Sequence, residues 1–163
     1  MSLCCDAIVM ADTTGAAIGL NEVALGIAVP RYWCRVFIQR VGFAKGEPLL
    51  KHATLVQPKH ALSIGLVDHV VEHVAEMMPT SEALMRRMVS MPVLEGRSMT
   101  KASMRAELAN EWIKAVDQEA EMVWGFLSDE ATVRSLDGVM QKLQKRQHSK
   151  SNAESSSALK PKL

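Results

Sequence analysis

The stretch AAIGLNEVALGIAVP, Ala16 to Pro30, carries a single ionisable side chain, Glu22, among aliphatic neighbours. A lone carboxylate in such a setting permits two chemistries. In water it is an ordinary loop residue. Kept dry by Ile18, Leu20, Val23, Leu25 and Ile27, its proton affinity rises toward neutrality, and it becomes a base that can also return the proton it takes. The residues alone favour the solvated reading. Asn21 beside it either orients the carboxylate or serves the turn, and the turn is the simpler role.

Other reactive residue types add little. The three cysteines, Cys4, Cys5 and Cys34, form no CxxC pair, so neither a zinc site nor a redox motif is expected. Buried thiols in a reducing compartment are the simplest reading. The five histidines form no metal-binding pattern. His69 and His73 are spaced i, i+4, but they fall where a strand gives way to a helix, which suggests surface or capping roles. Trp33 and Phe37 suit helix packing. Lys142 and Lys145 lie near a helix end, where the helix dipole favours cations. The eleven methionines read as core filler.

The elements that must position Glu22 follow from periodicity. DAIVMAD, residues 6–12, is a short β-prone run, and AAIGL, residues 16–20, suggests a second strand. RYWCRVFIQRVG reads as a helix with apolar positions Trp33, Val36, Phe37 and Val41, stopped at Gly42. AKGEPLLKHA is a further helical piece. Pro58 opens a short helix that Gly65 ends, and LVDHVV follows as a strand. From Pro79 the pattern is helical: TSEALMRRMVSM with a Thr/Ser cap, residues 98–128 as two helices or one bent one, and a last helix capped at Ser128. Residues 147–163 are polar and Ser- and Lys-rich without periodicity, which predicts a disordered tail. Residues 1–146 then form one partial domain, with strands and loop at 6–30 and helices at 31–146.

Bulk properties exclude several classes. Net charge is +1 and aromatics are 4%, which argues against nucleic-acid binding by phosphate attraction or base stacking. The apolar runs fall short of a membrane span. MSLCCDAIVMAD does not have the form of a secretory signal. Two or three short strands cannot make a stable sheet alone, so the chain reads as the later part of a larger α/β unit.

CCDAIVMADTTGAAIGLNEVALGIAVP resembles the crotonase (enoyl-CoA hydratase/isomerase) superfamily at Cys5-Asp6, Ala11-Asp12, Ile18-Gly19, Glu22, Leu25-Gly26 and Pro30. PKHALSIGLVDHVV resembles a later family segment at Pro58, Ala61, Gly65, Leu66, Val67, Val70 and Val71. MTKASMRAEL is similar to a helix beyond it. The likeness is collinear over roughly residues 1–145, and IGLNEVALGIAVPRYW is most similar to the mitochondrial type of Δ3,Δ2-enoyl-CoA isomerase.

The resemblance implies an α/β fold, the C-terminal portion of a crotonase fold, and turns the reading of Glu22 to that of catalytic base. It implies a 1,3-proton transfer on an enoyl-CoA in β-oxidation of unsaturated fatty acids. Leu20, Asn21, Trp33 and Phe37 would contact substrate, and Lys145 a coenzyme A phosphate. No cofactor is expected, since coenzyme A belongs to the substrate, and no metal. The partners implied are an acyl-CoA thioester and further copies of the chain, as a trimer or hexamer, with no nucleic acid or membrane.

The family's oxyanion-hole segment, and the second glutamate of hydratases, would fall before Met1, so a truncated or weakly active form is expected. A hydratase and a non-catalytic subunit remnant remain the alternatives. The compartment implied is the mitochondrial matrix or the peroxisome or glycosome, Pro161-Lys162-Leu163 being a weak peroxisomal-type signal.

Overall fold

In a computed structural model the backbone is described for residues 2–90, 92 and 94–158, and side chains through residue 145. Two strands, β1 (Val9–Ala11) and β2 (His69–Val71), pair in parallel with Val9 opposite His69, Met10 opposite Val70 and Ala11 opposite Val71. Parallel strands need a long crossover. Here it contains the Glu22 turn and three helices: α1 (Arg31–Val41), α2 (Phe43–Lys51) and α3 (Pro58–Ser63). After β2 come α4 (Met77–Val89), α5 (Leu94–Leu127) and α6 (Glu130–Ala158).

The core lies between the sheet and α1–α3. Ile8, Phe37, Val41, Leu50, Val56, Ala61, Leu66 and Val67 form one buried cluster. Arg40 of α1 ties it to the sheet. Its Nε donates to the Leu66 carbonyl at 3.0 Å, and its guanidinium pairs with Asp68. The Asp68 carboxylate also accepts the Ile8 amide at 2.7 Å, so one side chain joins helix, loop and strand.

The strand expected at residues 16–20 is a single antiparallel bridge, Ile18 to Val56, with reciprocal hydrogen bonds of 2.9 Å. Gly19 explains the close approach that stops there. A Cβ at that position would lie 2.8 Å from the Thr54 carbonyl oxygen, so only glycine fits.

Helix starts also differ from expectation. α4 begins at Met77, three residues before the Thr/Ser pair, and Ser81 Oγ donates back to the Met77 carbonyl at 2.7 Å. Upstream, the Glu76 carboxylate accepts the amides of Glu72 and His73. Asp129, not Ser128, caps α6 by accepting the Ala131 and Thr132 amides at 2.9 and 3.2 Å. Ser128 Oγ instead donates to the Trp124 carbonyl, closing the end of α5. Ser, Thr and Asp all suit caps, so local composition left the choice open.

α5 is one continuous helix of 34 residues. α6 runs to Ala158, past the position where composition predicts a disordered tail. Residues 159–163, and with them Pro161-Lys162-Leu163, lie outside the described residues.

The N-terminal part of α5 is held by one carboxylate. Asp6 pairs with Lys101 at 2.9 Å, Arg97 at 3.2 Å and Arg105 at 3.7 Å, three cations one turn apart on one helix face. The Lys101 hydrogen bond is the main cause holding the Asp6 carboxyl below its ordinary 3.8. Burial opposes it, and Arg97 helps. A carboxyl depressed in the folded state stabilises above its unfolded pKa and loses that contribution as pH falls. Acid titration of stability should therefore show a slope below about pH 4 that flattens in Asp6→Asn. An unchanged slope in that variant would remove Asp6 as its source.

Candidate active site

The segment bearing Glu22 is a short 3₁₀ turn, Glu22–Leu25. Asn21 precedes it and makes no side-chain cap; its carbonyl accepts the Ala24 amide at 3.1 Å. Asn21 is exposed and serves the turn through its backbone. Gly26 closes the turn in the left-handed region, at φ 79°, where its amide returns to the Glu22 carbonyl. Glycine is the residue that adopts this conformation without penalty. Ile27 and Pro30 are then buried, and α1 begins at Arg31.

Glu22 is half-buried, and its Oε2 is fully shielded from solvent. Among the described residues no donor reaches that oxygen. A buried polar atom without a partner costs about 1–3 kcal/mol, so such an atom calls for an explanation. One carboxylate oxygen of Glu22 is thus kept dry, while the residue as a whole is half-buried.

Cys34 lies one turn into α1, half-buried, with its thiol directed at the Val29 carbonyl at 3.6 Å. Burial pushes the thiol's pKa up, and the negative charges of Glu22 and, less strongly, Glu119 add to the effect. Two carboxylates from distant parts of the chain thus act on one thiol.

Glu119 stands on α5, and its Oε1 accepts the Tyr32 amide at 3.1 Å. The Tyr32 ring stacks on Trp112 with centroids 5.6 Å apart and planes 9° from parallel. Its hydroxyl donates to the Glu111 carbonyl, and Arg35 pairs with the Glu111 carboxylate. A cavity of ≈ 330 Å³ opens at this junction, lined by Arg31, Tyr32, Gln118, Glu119 and Met122 among others. From the far side α6 closes on the turn. Thr132 is 3% exposed, and a Cβ on Gly26 would sit 3.5 Å from its hydroxyl oxygen.

The other expected contact residues are placed as follows. Leu20 is half-buried and packs against the core cluster beside the turn. Phe37, expected at an acyl pocket, is 1% exposed inside that cluster, so helix packing accounts for it. Trp33 is 42% exposed, and the buried aromatic of the first turn is Tyr32. The helical pattern missed this because the wall that buries Tyr32 is α5, far along the chain. Lys142 and Lys145 are exposed on α6. Among the described residues no group of three His, Cys, Asp or Glu side chains gathers as a metal site, and no helix is long and apolar enough to cross a membrane.

Sequence reasoning did not find Glu119, Tyr32 or Thr132. Glu119 lies 87 positions from the amide it meets. Its only local signal is that of one more charged residue on a helix with a polar face.

A family profile described as enoyl-CoA hydratase/isomerase matches residues 1–150. The chain is 32% identical to mitochondrial enoyl-CoA delta isomerase 1 of Mus musculus over 146 residues, 90% of this chain and 50% of that protein. Against the Homo sapiens protein of the same name it is 29% identical, over 88% of this chain and 47% of that one. The crystal structure of human mitochondrial delta3-delta2-enoyl-CoA isomerase superposes with a TM-score of 0.81 at 28% identity, covering 88% of this chain and 55% of the other. The chain thus spans about half the length of the curated relatives it matches. Its small parallel sheet followed by helices is the C-terminal portion of the crotonase fold. Motif order, architecture and the profile match all lead to one assignment: this chain belongs to the enoyl-CoA hydratase/isomerase family.

Proposed function

We propose that this chain carries the base of a Δ3,Δ2-enoyl-CoA isomerase. The observation that carries the reading is the buried, unpartnered Oε2 of Glu22, at the position where the family resemblance places the catalytic carboxylate. In this reaction Glu22 removes a proton from C2 of a 3-enoyl thioester. The electron pair left at C2 spreads through C1 onto the thioester oxygen and, through the C3–C4 double bond, onto C4, giving a dienolate. The same carboxyl returns the proton to C4, the double bond comes to rest between C2 and C3, and the base is regenerated. An oxygen with no competing hydrogen bond is free to make both transfers. The developing negative charge requires oxyanion donors, each worth about a hundred- to a thousandfold in rate.

The activity is proposed for the protein that carries this segment. The substrate class is an acyl-CoA thioester, with no separate cofactor. The compartment is the mitochondrial matrix, because the mouse and human relatives are named mitochondrial. The comparisons lend no support to a peroxisome or glycosome. Self-association as a trimer or hexamer fits the exposed apolar side chains Ile113, Val116 and Trp124 on α5.

Incubation with 3-hexenoyl-CoA decides among the readings. Growth of the conjugated 2-enoyl thioester absorbance, without hydrated product, is expected. A 3-hydroxyacyl product from 2-hexenoyl-CoA would make the protein a hydratase. Absence of both products would leave a non-catalytic member of the family.

A further inference from the structure

The start of α1 is built unusually for its place next to the Glu22 turn. Pro30, the residue before the helix, offers no side-chain acceptor to the first-turn amides. Such amides have none within their own helix. The Tyr32 amide finds one on another element, the Glu119 carboxylate of α5. A negative charge there also complements the positive end of the helix dipole. Ring stacking and the Tyr32 hydroxyl hold the tyrosine side chain against α5, whereas Glu119 addresses the α1 backbone. Two residues along, Cys34 bonds to Val29, which joins this first turn to the segment leading from Glu22.

We propose that Glu119 is a positioning residue: reaching from α5, it caps the first turn of α1 and so holds in place the Cys34–Val29 contact that ties this turn to the segment leading from Glu22. The catalytic consequence rests on the isomerase reading, whereas the geometric claim stands without it. Helix α5 thereby sets the site's geometry although Glu119 lies 87 positions from the amide it caps.

Cys34 is the natural reporter. With Cys4 and Cys5 replaced by serine it is the sole thiol of the chain. Its rate of alkylation by iodoacetamide at fixed pH reads both its charge surroundings and the opening of the turn. Glu119→Gln removes the negative charge but keeps an oxygen for the Tyr32 amide, whereas Glu119→Ala removes both. The Gln variant should react slightly faster than the parent, because a charge opposing the thiolate is gone. The Ala variant should react about tenfold faster again, the factor corresponding to a lost helix cap. Equal rates in the two variants would make charge the whole effect and overturn the positioning role.

If Glu119→Ala does not fold, amide exchange in the unsubstituted chain decides. The Tyr32 amide should exchange more slowly than that of Trp33, and equal exchange overturns the proposal. Turnover separates the two claims. In protein active on 3-hexenoyl-CoA, Glu119→Ala should lower kcat about tenfold at unchanged KM, with Glu119→Gln restoring most of it. An inactive parent overturns the isomerase reading, and the thiol rates still decide the role of Glu119.

Discussion

Glu22→Gln should lower turnover of 3-hexenoyl-CoA by about 10⁴-fold, the upper end for loss of a general acid–base group. One carboxyl performs both proton transfers in the proposed reaction, so no second group compensates. KM should stay within about twofold, because uniform substrate binding does not depend on the proton carrier. The stability effect should run the opposite way. Oε2 is buried without a donor, and a neutral amide costs less to keep dry than a carboxylate. The variant should therefore melt no lower than the parent, as expected where a site trades stability for function. Steady-state kinetics and thermal denaturation on one preparation check both halves. Turnover retained within tenfold would remove Glu22 from the chemistry, and a large drop in Tm would make it a structural residue.

Tyr32→Ala should produce the largest loss of stability on the site side of the molecule. The side chain is 3% exposed, stacked on Trp112 and bonded through its hydroxyl to α5. Truncating a buried aromatic costs about 3–5 kcal/mol, which for a domain of this size lowers Tm by about 10 °C. Tyr32→Phe keeps the ring and gives up one hydrogen bond, at a cost of about 1 kcal/mol. The contrast between the two variants isolates packing from hydrogen bonding. Denaturant unfolding with Trp112 fluorescence reads it directly, since loss of the ring exposes the indole. If the two variants are equally stable, the stacked pair contributes nothing and α5 is held to α1 by other means.

The sequence alone revealed the elements with clear local signals. α1 was visible from its apolar spacing and from Gly42 at its end. α3 was visible from Pro58, and β2 from the run of apolar and β-branched residues. Each of these is decided within one window of the chain. The same reasoning faltered where several residues could perform one local job. At the start of α6, Ser128 and Asp129 both suit a cap, and only the completed helix geometry selects Asp129. At residues 16–20, β propensity suggested a strand, but pairing is a two-body property, and the partner at Val56 meets it at one position.

The candidate site divides along the same line. The presence of one carboxylate among aliphatic residues, the glycine that closes its turn and the family's motif order are all written in residues 5–71. Whether that carboxylate is dry is not, because burial of its Oε2 is a property of the folded chain. α5 and α6 meet the segments on either side of it, Glu119 at the Tyr32 amide of α1 and Thr132 against Gly26. The sequence therefore singled out the candidate group for the proposed chemistry. The tertiary structure decided its environment, because burial and charge depend on distances between side chains about a hundred positions apart, and no local period encodes those distances.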